Sequence, residues 1–180
     1  MNLEDNVAGF DLSLSSTGVS TKMATFSISS KKVGEERLEE YYRLFCGIIQ
    51  KYSIKIAILE NYAFSSPFQR EALAELGGVF KLACFQNGVD LFLIAPTTLK
   101  KFITNNGKTK KDTMRLEVYK KWGVEFDTTD EVDAFALRMF GYALVGCSEN
   151  LFAYEKDTIK RFKQNKQVVE KLTRLKLFKE

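Results

Sequence analysis

Residues 7–29 carry three strand-like runs packed so closely that no helix fits between them. They read Val7-Ala8-Gly9-Phe10-Asp11-Leu12, then residues 18–23, then residues 24–28, parted by Ser and Gly turn signals. Strands joined by such short links pair antiparallel, so a meander opens the chain. Beyond it the pattern changes to alternation. Residues 35–52 set Leu38, Tyr41, Tyr42, Phe45, Ile48, Ile49 and Tyr52 at helical spacing, with Glu35, Glu36, Glu39 and Glu40 toward the end where the helix dipole favours them. Ile54-Lys55-Ile56-Ala57-Ile58-Leu59 is a buried-strand run that stops at Glu60. Ser66 and Pro67 supply a cap and a first-turn residue for a helix bearing Leu73, Leu76, Phe80 and Cys84. Gly77-Gly78 inside it costs about 1 kcal/mol of helix propensity per glycine, which points to a close helix–helix contact. Residues 89–95 read as a further strand stopped by Pro96, and helices are expected over residues 99–103, 110–122 and 129–145.

A meander followed by alternating helices and strands gives an α/β fold of three layers, a mixed five-stranded sheet flanked by helices. Ligands of such sheets gather at strand ends. With 45% hydrophobic and 13% aromatic residues the chain has ample core, which excludes global disorder. Its 180 residues fit one domain with an appendage, and charge places the division. Residues 151–180 hold nine Lys and Arg against four acids, and residues 155–178 set Ile159, Phe162, Val169 and Leu172 among lysines as a basic amphipathic helix. The expected organisation is a domain over residues 1–150 and a basic C-terminal helical tail over residues 151–180. Within the body, residues 97–122 carry a net +6 and the remainder about −7, so an acidic pocket flanked by basic stretches is expected. That combination suits a site that holds metal ions while gripping a polyanion.

The chain contains no histidine, which excludes Ser/His/Asp and Cys/His nucleophilic catalysis and the common His-bearing zinc sites. Carboxylates, lysines or hydroxyls must carry any chemistry. Cys46, Cys84 and Cys147 are too widely spaced to grip zinc and read as buried thiols. No apolar run approaches the roughly 18 residues of a membrane span. The start, Met1-Asn2-Leu3-Glu4-Asp5, is acidic where a targeting peptide is basic, so an intracellular, cytoplasmic protein is expected.

Four acids stand out by position. Asp11 lies between Phe10 and Leu12 in the first strand, where a charge is costly unless it meets a cation. Glu60 closes the fourth strand, and Asp130 and Asp133 are three apart on one face at the start of the last core helix. Singly, each has an ordinary structural reading: a strand-edge acid, a turn residue, a helix-start acid. Together they would repel, and they persist in one site only if divalent cations neutralise them. Carboxylate oxygens without His or Cys select Mg²⁺ or Mn²⁺. Two such ions about 3.5–4 Å apart serve phosphodiester cleavage.

Gly9-Phe10-Asp11, Leu59-Glu60-Asn61 and Asp130-Glu131-Val132-Asp133-Ala134, in this order across residues 7–146, resemble the motifs of the RuvC-type Holliday junction resolvases. These belong to the ribonuclease H-like superfamily, and the likeness is to the phage-type branch. The resemblance implies a ribonuclease H-like fold and a homodimeric crossover junction endodeoxyribonuclease of DNA recombination and repair. Such an enzyme makes paired nicks in four-way or otherwise branched DNA with two Mg²⁺ ions per active site, Mn²⁺ serving as a substitute. It further implies metal ligation and catalysis by Asp11, Glu60, Asp130 and Asp133. Lys100 and Lys111 fall on the family's two lysine positions, Lys111 as a catalytic candidate, and Lys101, Lys108 and Lys110 complete the expected DNA-contact set. The family's aromatic wedge falls on Ala63, so Tyr62 and Phe64 beside it are the candidates to insert at the junction centre. The Gly77-Gly78 helix is the candidate dimer interface. The tail has no counterpart in the family pattern, and its net +5 reads as added DNA contact. Participation of a host branch-migration helicase stays open, and no membrane is implied.

Other readings share these residues. Actin-like ATPases and sugar kinases open with a strand and hydroxyl-rich turn like residues 9–18, but they need two such domains and a second phosphate loop. A ribonuclease H-like nuclease acting on RNA:DNA hybrids would use the same acids. A non-catalytic nucleic-acid binding module would gain nothing from four clustered negative charges beside a phosphate backbone.

Overall fold

The computed structural model describes residues 3–61 and 67–177. After a short 3₁₀ turn, the meander consists of β1 (Val7–Asp11), β2 (Thr17–Ser20) and β3 (Thr25–Ile28). Next come α1 (Gly34–Lys51), β4 (Ile56–Glu60), α2 (Pro67–Gln86) and β5 (Asp90–Ile94). The chain continues through α3 (Pro96–Thr104), α4 (Lys111–Trp122), α5 (Thr129–Val145), α6 (Ala153–Phe162) and α7 (Lys166–Arg174). The sheet order is β3-β2-β1-β4-β5. β1–β2 and β2–β3 are antiparallel, whereas β1–β4 and β4–β5 are parallel, as crossovers through α1 and α2 require. This is the expected α/β architecture, a mixed five-stranded sheet with helices on both faces.

Strand alternation divides the core. Ala8, Phe10, Ala57 and Leu59 pack with Tyr41, Phe45, Leu76 and Phe80 on one face of the sheet, under α1 and α2. Val7, Ile56, Ile58 and Phe92 point the other way, against Leu99, Met114, Phe135, Leu137 and Phe140 of the later helices. Asp11 and Glu60 continue the second set, so both acids emerge on the face covered by α5.

Several local expectations are corrected. Strands β2 and β4 are shorter than the runs that suggested them: β2 ends at Ser20 because Thr21 turns back to bond the Ala24 carbonyl, and β4 starts only at Ile56. A Cβ on Gly78 would meet nothing within 4 Å, so Gly78 itself makes no close contact within the chain, whereas Gly77 beside it is buried. The outer face of α2 instead exposes Leu82 and Phe85. Of the three thiols only Cys84 is buried, and burial pushes it up to about 12. Ser66, expected to cap α2, lies outside the described residues.

The tail is two helices rather than one. A turn over residues 163–165 ends α6, and the Asn165 side chain accepts the Gln167 N–H at 2.9 Å to begin α7. The break resets the helical phase, so that Val168 and Leu172, together with Ile159, enter the α5-side core. Glu155 is fully buried, pairs with Lys121 of α4 and accepts the Phe152 N–H at 2.8 Å. Lys171 donates to the Leu91 carbonyl and Arg174 pairs with Asp90, so α7 covers β5, the edge strand.

Candidate active site

The acidic cluster is assembled by register and by one close helix–sheet contact. β1 and β4 are parallel with Phe10 opposite Leu59, so the next position sets Asp11 beside Glu60 at the carboxyl ends of two central strands. α5 runs back across this face and brings its N-terminal turn over them. Its approach depends on two strand glycines. A Cβ on Gly9 would lie 2.1 Å from the Ala134 carbonyl oxygen, and one on Gly18 would lie 2.1 Å from that of Asp130. Neither position admits a side chain while α5 stays where it is.

The start of α5 is fixed by a capping box. Thr128 Oγ1 accepts the Glu131 N–H at 3.2 Å, and the Glu131 carboxylate accepts the Thr128 N–H at 3.4 Å. Ser27 of β3 adds a hydroxyl donated to Glu131 Oε1 at 3.0 Å. Sheet and helix are thereby joined one residue from Asp130. The Thr128-Thr129-Asp130-Glu131 spacing is a capping-box signature that points to Glu131, whereas the link to Ser27 spans about a hundred residues and leaves no local mark.

The electrostatics show four acids sharing one space. Asp11 is held well above the usual carboxylate range by burial first, then by Asp133, Glu60 and Asp130, with Lys111 opposing. Burial and Asp133 push Glu60 up to about 7 against the pull of Lys100 and Lys111. Asp133 is raised by burial, against which Lys111 acts most strongly, while Asp130 adds to the rise. Lys111 Nζ lies 3.8 Å from Asp133 Oδ2. The cluster therefore has more buried negative charge than its lysines offset.

A hard divalent cation suits this donor set, since oxygen ligands whose ionised forms are penalised by burial and by one another gain most from a bound cation. Among the described residues, no three acidic or cysteine side chains as they stand close on a single point. The fit is thus one of charge and ligand chemistry, with carboxylates that converge without touching.

The other expected contact residues separate. Lys100 acts on Glu60 and Asp133, while Lys101, one residue on, pairs at 3.6 Å with Asp157 of α6. Lys108 and Lys110 are exposed in the loop and cap before α4. Tyr62 and Phe64 lie outside the described residues.

No family model matches the chain. Among curated proteins, the crossover junction endodeoxyribonuclease RuvC of Anaplasma phagocytophilum (strain HZ) is 30% identical over 94 residues, covering 48% of this chain and 58% of that protein. The proteins of the same name from Chlamydia muridarum and Chlamydia trachomatis serovar L2 are 29% and 32% identical over 117 residues, 62% of this chain and 69% of theirs. The chain thus spans between 58% and 69% of the length of these relatives. Among solved structures, Thermus thermophilus RuvC superposes with a TM-score of 0.63 at 19% identity, over 81% of this chain and 99% of that one. Its complex with a Holliday junction substrate gives 0.64 at 16%. The yeast mitochondrial Holliday junction resolvase Ydc2 gives 0.57 at 10%, over 93% of this chain and 84% of that one. At these identities the superpositions show the fold.

Proposed function

Because the chain belongs to the RuvC family of crossover junction endodeoxyribonucleases, we propose that it is a structure-selective endonuclease that resolves four-way DNA junctions and related branched DNA by metal-dependent phosphodiester hydrolysis. The observation that carries this reading is the convergence of Asp11, Glu60 and Asp133, with Asp130, at the carboxyl ends of β1 and β4 beneath the start of α5. These four carboxylates are the ligands we assign to divalent cations, two Mg²⁺ per site or Mn²⁺ in their place. Such ions, when bound, supply Lewis-acid polarisation of a phosphate and a lowered pKa for a water molecule.

The chain's own residues supply the remainder. Lys111, 60% exposed and within 4 Å of Asp133, sits on the rim where a phosphate oxygen would arrive, and its ammonium would offset charge developing there. Lys100 lies on the Glu60 side and does the same from α3. Lys101, Lys108 and Lys110 extend the positive rim for backbone contacts that position DNA without reading bases. Tyr62 and Phe64 lie two and four residues after Glu60 in the sequence and are assigned to the unstacked centre of the junction. Catalysis is assigned to residues 1–150 and an accessory grip on DNA to residues 151–180.

Paired nicks need two sites, and we assign the second to another copy of the chain docked through α2. The 48% and 82% exposure of Leu82 and Phe85, on the face where Gly78 leaves open space, supports this assignment. The test of function is cleavage, with Mg²⁺, of an immobile four-way junction, a linear duplex and an RNA:DNA hybrid by wild-type protein and by Asp11→Asn. Paired nicks in the junction alone, lost in the variant, are the expected result. Cutting of the hybrid would move the protein to another branch of the fold, and cutting of none would overturn the enzyme reading.

A further inference from the structure

The tail does more than add charge, because its first helix builds one wall of a groove next to the acidic cluster. α3 turns two adjacent lysines in different directions. Lys100 acts on Glu60 and Asp133, whereas Lys101, about 100° further round the helix, faces the groove with Thr97 one turn before it. The opposite wall is α6 and the turn after it, which contribute Arg161 and Asn165. A third side is the loop after α3. A Cβ on Gly107 would lie 2.9 Å from the Thr97 carbonyl oxygen, so the loop folds tightly onto the helix start. The groove is open to solvent and has a volume of about 480 Å³.

Asp157 stands between the two cations of this groove. It accepts from Arg161 Nε at 3.1 Å and lies 3.6 Å from Lys101 Nζ. Among the described residues the terminal guanidinium nitrogens of Arg161 make no hydrogen bond, which leaves the fork that pairs with phosphate oxygens. Two cations against one carboxylate leave a net positive groove bordered by Thr97 and Thr98, one helical step from the metal-type cluster.

We propose that this groove is a phosphate subsite for the backbone of one arm of the DNA substrate, in which Lys101 and Arg161 bind and Asp157 holds the two cations in place while partly masking them. The proposal rests on the nuclease reading above. It locates the accessory grip of the tail at α6 and the α3–α6 seam. If Asp157 only tied α6 to α3, its removal would lower stability and leave DNA binding unchanged.

Deleting the tail cannot test this, because Ile159, Val168 and Leu172 belong to the core. Point variants can. A labelled four-way junction is titrated with the full chain, in Ca²⁺ to hold off cleavage, across a salt series. Four proteins are compared: wild type, Lys101→Gln/Arg161→Gln, Asp157→Asn, and Glu36→Gln as a control. Glu36 is exposed on α1, on the other face of the sheet, and its change alters net charge as Asp157→Asn does. The double variant should bind about tenfold more weakly, with the slope of log affinity against log salt shallower by nearly two, roughly 0.9 per lost phosphate contact. Asp157→Asn should tighten binding several-fold beyond the control. A double variant with the wild-type slope, or an Asp157→Asn protein indistinguishable from Glu36→Gln, overturns the subsite. Should the double variant fail to fold, the comparison of Asp157→Asn with its control decides alone. Wild-type protein that neither binds nor, with Mg²⁺, cuts the junction overturns the functional reading instead.

Discussion

Lys111 Nζ stands 3.8 Å from Asp133 Oδ2, an exposed ammonium at the first residue of α4 set against a carboxylate only 15% exposed in the second turn of α5. The pair places the cation at the mouth of the acidic cluster rather than within it. Lys111→Met should therefore lower single-turnover junction cleavage on the order of 10²-fold while changing junction affinity by less than about tenfold. Equal loss in both measurements would reassign Lys111 to binding alone.

The raised carboxylates set a pH dependence of stability for metal-free protein. Glu60 passes from an ordinary value of 4.5 when unfolded to about 7 when folded, and Asp11 and Asp133 are raised as well. Above pH 4.5 the unfolded chain gives up the Glu60 proton while the folded one keeps it, so stability falls as pH rises and levels off above about 7. Thermal melts in EDTA should show Tm declining over that window. Mg²⁺ should restore it at pH 8, and Glu60→Gln should flatten the decline.

Gly18 tests the helix–sheet seam. Since an added methyl would meet the Asp130 carbonyl oxygen at 2.1 Å, Gly18→Ala must push α5 off β2. The expected cost is about 3 kcal/mol in urea unfolding, together with loss of cleavage beyond that caused by destabilisation, because Asp130 moves with the helix. Gly47→Ala, at an exposed position of α1 where nothing lies within 4 Å, serves as the tolerated control.

The Lys121–Glu155 pair tests how the tail is held. Glu155 is fully buried and Lys121 partly buried, with its ammonium 4.7 Å from the centre of the Trp122 ring. Lys121→Met leaves a buried carboxylate unpaired and should destabilise by about 3–5 kcal/mol. Limited proteolysis should then release fragments cut near residue 150. An unaltered digestion pattern would mean that apolar packing alone secures α6.

The proposed dimer face makes a separate prediction. Phe85→Glu combined with Leu82→Glu should give a monomer by sedimentation that still folds, because both side chains are exposed on α2. On a junction it should leave single nicks in place of paired ones. A wild-type protein already monomeric at micromolar concentration would remove this assignment.

Much of the fold is a local matter, which is why it can be read along the chain. The 3.6-residue spacing of Tyr41, Phe45, Ile48 and Ile49, the apolar run ending at Glu60 and the stop of a strand at Pro96 each act over a few residues, and each element formed, although α3 starts at Pro96 itself rather than at Leu99. The tail misled for the same reason. Its lysines and apolar residues fit one continuous helix, but the Asn165 cap and the demands of the core on Val168 and Leu172 broke it in two. Gly9 and Gly18 read as turn or strand glycines, because the contact that requires them comes from a helix more than a hundred residues away.

The amino-acid order by itself determined the element sequence up to the tail, the absence of imidazole chemistry and the positions of four acids along the strands and the last core helix. Only the tertiary structure decided that these acids share one space, that Lys100 joins them while Lys101 turns away, and that the tail belongs to the core. Secondary structure follows from periodicity and capping within a few residues. Convergence of charge and the seam between α3 and α6 depend on how a twisted sheet carries distant segments together, which no local pattern encodes.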